Sequence, residues 1–270
     1  MNLRTLVPNV EPLLKGHPRA RTVVESVYWR LGALARGGER TVRVGEVTAR
    51  FGLSTRAEYL RAKSLGGERA VIEALLGDVA GGETVWDVGA GVGTYTCLIA
   101  NALETGRVVG FEPEPTNRAR LRANLDRNAS GERWAVSRVA LWGRDGEARL
   151  ASESESGSIE AGDGHHYLST EGGRRVETRR GASLLVDGLA PPDVLKIDVQ
   201  GAEGEVLEGM GEALSDVREI YLEVHPEKCR RYGTTAEDVE RFLREAGYSL
   251  ARLGVPATGR SGVYFLRARR

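Results

Sequence analysis

The feature that most constrains the fold of this chain is a glycine-rich turn between two apolar segments, in the stretch TVWDVGAGVGTYTCLIANAL (84–103). A short apolar run predicts a strand. It is followed by Gly89, Gly91 and Gly93 and then by an apolar run of helical length. Glycines at such a junction let backbone N–H groups and a helix N-terminus approach a ligand closely. The stretch therefore predicts a strand–turn–helix unit that binds a nucleotide-like cofactor.

The rest of the chain continues to alternate between predicted strands and predicted helices. This alternation predicts a Rossmann-like α/β fold, with a mostly parallel seven-stranded sheet and helices on both faces. The third predicted strand covers residues 133–142, and the segment 146–152 either extends the sheet or forms a flap. The chain closes on two predicted antiparallel strands. Residues 152–175 are rich in Ser, Gly and acidic residues and predict a long loop, either a functional lid or disordered.

The first part of the chain differs from this pattern. Residues 19–38 have helical spacing, residues 41–54 alternate around Gly45 as a short hairpin does, and two helices follow on either side of Gly66 and Gly67. We therefore predict an N-terminal helical and hairpin extension over 1–66 and the main domain over 67–270.

The composition limits the partners. Of the 270 residues, 38 are Lys or Arg and 38 are Asp or Glu, and the arginines are scattered among glutamates, which favours a small-molecule partner over a nucleic acid. The two cysteines form no CxxC pair and no cluster with histidine, so no disulfide framework or zinc site is indicated. The absence of a long uncharged apolar stretch predicts a cytoplasmic protein without a membrane span. The oligomeric state stays open.

The register of the glycines and two acidic residues indicate which cofactor the turn holds. The third glycine of a dinucleotide fingerprint would fall at Thr94, so that fingerprint fails. Glu112 ends the next predicted strand, where an acid accepts hydrogen bonds from both hydroxyls of an adenosine ribose. Asp87 lies two residues before the turn, where its charge would repel a pyrophosphate but suits a cationic ligand. These observations favour S-adenosylmethionine (SAM) over NAD.

Several segments, taken together, resemble the FkbM-type SAM-dependent methyltransferases. The resemblance runs from about Gly67 to Val224 and is carried by WDVGAGVGTYT, VVGFEPEPTNRARLRANL, VALWGRDGEARL and, most specifically, VLKIDVQGAEGEVLEGM. The family usually has Glu where this chain has Gln200, and Asn where it has Gly91. The resemblance implies a class I methyltransferase that methylates hydroxyl oxygens of sugars, macrolides or related metabolites.

The resemblance also implies which residues hold the cofactor. The methionine part would lie against the glycine turn, the ribose would bind Glu112, Pro113 would shape the following turn, and the end of the third strand would enclose adenine. The predicted cofactor-binding residues are Asp87, Gly89, Gly91, Gly93, Glu112, Pro113, Val139 and Ala140.

Polar residues that end two apolar strands are the candidates for catalysis. Lys196 and Asp198 share one face of the fourth predicted strand, and Glu223 and His225 share one face of the fifth. Ligands bind beyond the carboxyl ends of strands in such a sheet, so these groups are expected to surround one pocket. The alternative is purely structural, an ion pair at a sheet end and a satisfied histidine.

Methyl transfer to a hydroxyl requires alignment of the reacting atoms and removal of the hydroxyl proton. His225 is the predicted base, because its ordinary pKa is near 6.5. Asp198 would orient it, or take the proton itself if burial raises its pKa, and Lys196 would neutralise Asp198 or hold an acceptor oxygen. Glu203 and Glu223 are predicted to contact the substrate. Asp198, Glu223 and His225 could also bind a divalent metal, although no metal is assigned.

The leading hypothesis is a SAM-dependent O-methyltransferase that acts on a small molecule, most plausibly a sugar or glycan precursor. Three alternatives stay open: methylation of RNA or protein, an NAD-dependent oxidoreductase, and a SAM-binding module without catalysis. The pair His165-His166 in the predicted loop could reach over the acceptor, but such a pair in a polar loop is more often solvated and is left out of the catalytic set.

Overall fold

The computed structural model describes residues 27, 29–35, 37–152, 166–169, 171–254 and 262–270. The strands are β1 (Glu39–Val44), β2 (Val47–Gly52), β3 (Thr84–Val88), β4 (Arg107–Phe111), β5 (Trp134–Ser137), β6 (Ala140–Leu141), β7 (Gly146–Ser152), β8 (His166–Ser169), β9 (Arg174–Arg179), β10 (Val194–Ile197), β11 (Glu219–Val224), β12 (Ser249–Leu253) and β13 (Tyr264–Arg269). The α-helices are α1 (Arg56–Ser64), α2 (Arg69–Asp78), α3 (Thr94–Ala102), α4 (Pro115–Asn128), α5 (Gly181–Val186), α6 (Glu203–Met210), α7 (Pro226–Cys229) and α8 (Ala236–Glu245).

The central sheet has seven strands in the order β12-β13-β11-β10-β3-β4-β5. The strands from β11 to β5 are parallel to their neighbours, whereas β13 runs antiparallel to β11 and β12 antiparallel to β13. This confirms the predicted mostly parallel sheet. The chain leaves β3 towards β4 and β5 and later returns to β10 on the other side of β3. The strand order therefore reverses beside β3, and a crevice forms there at the carboxyl ends.

The prediction of one continuous strand over 133–142 is wrong. The strand β5 ends at Ser137, whose hydroxyl accepts a hydrogen bond from the Val139 N–H at 3.4 Å. Ala140 and Leu141 form β6, which pairs with β9 and not with a strand of the central sheet. The hydrogen bond marks the point where the chain leaves β5, and the pairing with β9 holds the following residues outside the central sheet.

A second sheet of four strands, in the order β6-β9-β7-β8, covers the region after β5. Segment 146–152 is therefore a flap, the second of its two predicted alternatives. The prediction of a loop over 152–175 is wrong for β8 and for the start of β9. The four residues of β8 are too few to show the alternation of apolar and polar residues that predicts a strand. They form a strand because their backbone pairs with Arg149–Ser152. Residues 153–165 and 170 lie outside the described residues.

The predicted hairpin near the N-terminus is confirmed as β1 and β2, joined at Gly45, whose φ is 56°. It packs against the main domain, where the Gly52 N–H donates to Asn124 Oδ1 at 3.0 Å, and its apolar side chains join the core that α2, α3 and α4 share. Of the helix predicted over 19–38, residues 29–34 are helical, and the part before residue 27 is not described. The boundary after residue 66 stays a prediction.

Both predicted helices around Gly66 and Gly67 are present as α1 and α2. Thr55 caps α1 through a reciprocal pair of hydrogen bonds with Glu58, which satisfies N–H groups that the helix itself leaves open. Within the described ranges, no helix has the length and apolar character that crossing a bilayer requires.

Candidate active site

A cavity of about 640 Å³ lies at the crevice beside β3. Nine of the thirteen predicted site residues line it: Gly89, Gly91, Glu112, Pro113, Val139, Ala140, Lys196, Asp198 and His225. The other four, Asp87, Gly93, Glu203 and Glu223, are absent from its wall. The chain order of the sheet thus brings the predicted cofactor turn and the predicted catalytic groups to one chamber.

The three glycines of the turn all have positive φ, but for different reasons. A Cβ on Gly89, where φ is 81°, would stand 1.8 Å from the Asp198 carbonyl oxygen, and one on Gly93 would stand 2.6 Å from Leu121 Cδ1. These two glycines therefore permit the close packing of the turn on β10 and α4. A Cβ on Gly91 meets no described atom within 4 Å. Its missing side chain leaves open the space beside the cavity.

This difference predicts opposite outcomes for two alanine variants. Gly89→Ala is expected to lower the melting temperature strongly, because backbone must move to relieve the clash and the left-handed conformation costs roughly 1–2 kcal/mol in addition. Gly91→Ala bears only the conformational cost and is expected to stay folded but to bind SAM more weakly. Thermal unfolding and calorimetric titration with SAM measure the two effects. Equal destabilisation by both variants would contradict the assignment.

Asp87 lies behind the turn and not in the cavity. Its side chain is fully buried, accepts a hydrogen bond from Thr96 Oγ1 at 2.5 Å and stands 3.1 Å from Lys196 Nζ. The register of the parallel pair β3–β10 places these two residues opposite each other. The structure therefore makes Asp87 the partner that fixes Lys196, whose ammonium also lies over the Tyr95 ring at 4.7 Å.

Glu112 faces the cavity from the end of β4. Its Oε2 accepts the Gly91 N–H at 2.7 Å and its Oε1 accepts the Glu114 N–H at 2.8 Å. A carboxylate has about four acceptor positions, so one on each oxygen is left for a ligand hydroxyl. Burial raises the pKa of Glu112 to about 7, although the two N–H donors act against it.

Beyond Glu112, the cavity is closed by apolar side chains and one amide. Val139 and Ala140 stand at the start of β6 and are buried. Asn117, in the first turn of α4, also lines this end and was not predicted. The sequence signal for a site role was its position in the helix that follows a strand and Glu112. Residues at such positions are more often structural.

The catalytic candidates meet where β10 and β11 end. His225 Nδ1 lies 3.0 Å from Glu203 Oε1, and His225 Nε2 lies 4.0 Å from Asp198 Oδ1 and 3.7 Å from Glu223 Oε1. Glu203, fully buried at the start of α6, also accepts the Gly201 N–H at 2.9 Å. When Nδ1–H donates to Glu203, Nε2 is left as an acceptor towards the cavity. Glu203 therefore holds His225 at Nδ1, whereas Glu223 lies on the side of Nε2.

The charges around these groups set their protonation. Burial by itself lowers the pKa of His225, but the hydrogen bond to Glu203 and the nearby carboxylates outweigh it and raise the pKa above the ordinary value. Burial acts upward on Asp198, but Lys196 and His225 outweigh it and lower its pKa. The predicted condition for Asp198 to act as a base, a raised pKa, is therefore not met. Lys196 has a raised pKa, because Asp87 and Asp198 outweigh the effect of its burial.

Asp198, Glu223 and His225 each offer one possible ligand atom, and these atoms lie within 4.8 Å of one another. Carboxylate and imidazole suit several divalent metals, so the geometry fits such an ion. The Lys196 ammonium already stands 4.0 Å from Asp198 Oδ2 and supplies positive charge at the same place.

Residues outside the predicted set complete the wall. His166, Tyr167 and Leu168 reach the cavity from β8, and Arg61 reaches it from α1. His166 Nε2 is buried without a hydrogen-bond partner among the described residues. The sequence signal was the pair His165-His166, which could not be placed because nothing local indicated that β8 pairs with β7.

Gln200, where the family usually has Glu, lies in a left-handed conformation with φ of 56° beside the catalytic groups. Its Nε2 donates to Asp198 Oδ1 at 3.0 Å and its Oε1 accepts from Lys228 Nζ at 2.7 Å. Strained backbone of this kind persists where the surroundings fix it, often at functional sites. Here the amide links the Asp198 carboxylate to Lys228 on the cavity wall.

The strand order, the glycine turn after β3 and the acid that ends β4 define a class I, Rossmann-like methyltransferase fold. The sequence model of the methyltransferase FkbM domain matches residues 87–250. This chain therefore belongs to the FkbM methyltransferase family and is a SAM-dependent methyltransferase, as the sequence resemblance predicted.

Two curated relatives show what related chains do. The chain is 35% identical over 227 residues to the hexuronic acid methyltransferase AglP of Haloferax volcanii. The matched region covers 80% of this chain and 86% of that protein. It is 30% identical over 153 residues to the 2-O-methyltransferase NoeI of Sinorhizobium fredii, across 52% of this chain and 62% of that protein. Both relatives are methyltransferases, which decides between methyl transfer and the NAD-dependent alternative.

Proposed function

We propose that this protein transfers the methyl group of SAM to a hydroxyl oxygen of a sugar or glycan precursor. The observation that carries the proposal is His225, whose Nε2 faces the cavity while Glu203 holds Nδ1 at 3.0 Å. A histidine fixed in this way accepts a proton where the glycine turn would present a methyl group. The names of AglP and NoeI, a hexuronic acid methyltransferase and a 2-O-methyltransferase, support a sugar acceptor.

The cavity fits SAM at both of its ends. The open space beside Gly91 and the two remaining acceptor positions of Glu112 suit the methionine part and the ribose, and the buried residues Val139 and Ala140 suit adenine. When bound, SAM supplies a methyl group activated by its sulfonium. The chain contributes the orientation of the acceptor and a destination for the proton.

The proposed reaction forms a carbon–oxygen bond while the carbon–sulfur bond breaks, and the sulfur keeps the electron pair. The hydroxyl donates its proton to His225 Nε2 as the bond forms. The resulting imidazolium is stabilised by Glu203, Glu223 and Asp198, which surround the ring at 3.0–4.0 Å. Lys196 balances Asp198 and is held in place by Asp87.

The direct test is transfer from tritiated-methyl SAM to a panel of free sugars, uronic acids and nucleotide sugars, followed by mild alkali. Label that stays on the sugar is a methyl ether and supports hydroxyl methylation. Label released as methanol is a methyl ester and would redirect the proposal to a carboxylate acceptor. In a parallel assay with RNA and protein, label found only on those would contradict a small-molecule acceptor. The equal numbers of acidic and basic residues favour a small molecule over a nucleic acid.

We expect the reaction to proceed without a divalent ion, because the Lys196 ammonium already supplies positive charge among the carboxylates. Dialysis against EDTA is expected to leave the initial rate of methyl transfer unchanged. A rate that falls with EDTA and returns with Mg²⁺ or Mn²⁺ would instead assign Asp198, Glu223 and His225 as metal ligands.

His166→Ala is expected to raise the KM for the acceptor about five- to tenfold, the effect of one lost hydrogen bond, and to leave the Kd of SAM unchanged. The reason is the buried Nε2 of His166 at the cavity wall, which has no hydrogen-bond partner among the residues that the structure describes. Initial rates at varied acceptor concentration, with calorimetry for SAM, measure this. His166→Gln, which can still form a hydrogen bond, is the control and should recover part of the loss. A changed Kd for SAM with unchanged acceptor KM would place His166 at the cofactor instead.

A further inference from the structure

A second groove, of about 510 Å³, adjoins the active-site cavity. Leu168, on β8, lines both. Its described wall includes the buried Trp142 and five exposed charged residues: Arg144, Glu147, Arg149, Arg175 and Arg231. Four arginines and one glutamate give this wall a net charge of +3 in a protein whose overall formal charge is zero.

Glu147 is the one carboxylate among the described residues that line the groove. Arg175 pairs with Glu147, while Arg149 donates to the Gly173 carbonyl at 3.1 Å. The register of β7 and β9 also sets Arg149 directly opposite Arg175. Like charges directly opposite each other destabilise an antiparallel pair, so a bound anion would relieve a repulsion that the fold imposes.

The groove is linked to the active site through β8. The Arg231 guanidinium stacks on the ring of Tyr167 at 3.7 Å, and the Tyr232 hydroxyl donates to the Leu168 carbonyl at 3.0 Å. Tyr167 and Leu168 line the active-site cavity beside His166. These contacts hold β8 against the groove and place Arg231 beside Tyr167 on the wall of the active-site cavity.

We propose that the groove, which we call the arginine groove, binds an anionic group of the acceptor, a carboxylate or a phosphate, while a hydroxyl of the same molecule reaches His225. Guanidinium groups bind carboxylate and phosphate oxygens through paired, charge-assisted hydrogen bonds, and Trp142 and Tyr232 provide an apolar surface beside them. The proposal rests on the proposed function and names its acceptor class as a negatively charged sugar.

Calorimetric titration of the enzyme saturated with S-adenosylhomocysteine tests this, with D-glucuronate, D-glucose 1-phosphate and D-glucose as probes. We expect at least one anion to bind about tenfold or more tightly than glucose, with an affinity that falls as KCl is raised, because salt screens charges. The double variant Arg144→Gln, Arg149→Gln is expected to lose about tenfold or more in anion affinity, the effect of a lost charged hydrogen bond, and none in glucose affinity. The preferred anion distinguishes a carboxylate from a phosphate.

The matched control is Arg241→Gln, an exposed arginine on α8 outside both spaces, which should leave all three affinities unchanged. Anion binding that is undetectable in the wild type, or equal in the double variant and the wild type, would overturn the arginine groove. The double variant keeps every group around His225, so transfer to an uncharged sugar should persist in it. If anions bind as expected but no sugar is ever methylated, the proposed function fails while the anion site stands.

Discussion

Replacing His225 with alanine is expected to reduce turnover by about 10²–10⁴-fold, the usual contribution of a positioned general base, with SAM affinity close to that of the wild type. The histidine follows β11, on a different strand from the glycine turn and Glu112, and is not among the predicted cofactor contacts, so its loss leaves those contacts intact. Single-turnover rates of methyl transfer and calorimetry with SAM measure the two quantities separately. Wild-type turnover in the variant would reduce His225 to a structural residue.

Removing the imidazole also leaves the buried Glu203 without its histidine partner, and we therefore expect alanine to lower the stability of the fold as well. His225→Asn, which retains an amide donor for Glu203, separates the two effects. We expect this variant to be folded, to bind SAM and to be as slow as the alanine variant. A folded asparagine variant with full activity would contradict proton transfer to His225.

The pH dependence provides a further readout of the same group. The base acts in its neutral form, so kcat/KM should rise with pH through the raised pKa of His225 and level off above it. Glu203→Gln keeps an oxygen acceptor for Nδ1–H but removes the negative charge that favours the imidazolium. We expect its acidic limb to move to lower pH. A limb that does not move would show that Glu203 is only a packing residue.

The second large effect is expected at Glu112. Glu112→Ala should weaken SAM binding by about 100-fold or more, because two hydroxyl hydrogen bonds to a charged acceptor are lost, each contributing roughly 1.5–3 kcal/mol. Its two oxygens already hold the Gly91 and Glu114 N–H groups and keep one acceptor position each. Calorimetry with SAM and S-adenosylhomocysteine measures the loss. Full affinity in this variant would exclude Glu112 as the ribose acceptor.

The raised pKa of Glu112 also predicts how the affinity for SAM changes with pH. Near pH 7 and below, the side chain is increasingly protonated, and the acid is a poorer acceptor than the carboxylate. The Kd of SAM in the wild type should therefore increase as the pH falls below about 7, by up to about tenfold per pH unit, and level off above it. Glu112→Gln cannot ionise and should bind weakly with no such dependence. A Kd that depends equally on pH in both proteins would assign the titration to another group.

Much of this site followed from local sequence. Gly89, Gly91 and Gly93 after an apolar strand, together with Glu112 at the end of the next, are short-range patterns with a direct physical cause, because a strand–turn–helix unit and its neighbour suffice to form them. The sequence also predicted the pairs Lys196–Asp198 and Glu223–His225, since alternate residues of a strand lie on one face. Their shared cavity was expected because parallel strands end at one edge.

What the sequence left undetermined depends on contacts between distant segments. The short strand of residues 140–141 leaves the central sheet because β9 offers it a partner some forty residues later, and β8 forms only because β7 lies beside it. These pairings bring His166 into the cavity and assemble the arginine groove. Sequence periodicity carries no information about such partners.

The sequence by itself determined the parallel α/β sheet, the cofactor turn and the identity of the polar residues at the strand ends, because periodicity and turn chemistry are local. Only the tertiary structure decided which residues face the cavity and which stand behind it. It placed Asp87 behind Lys196 and Glu203 behind His225, and it lowered rather than raised the pKa of Asp198. Burial and the distances between charges fix these roles, and both arise only when separate strands meet.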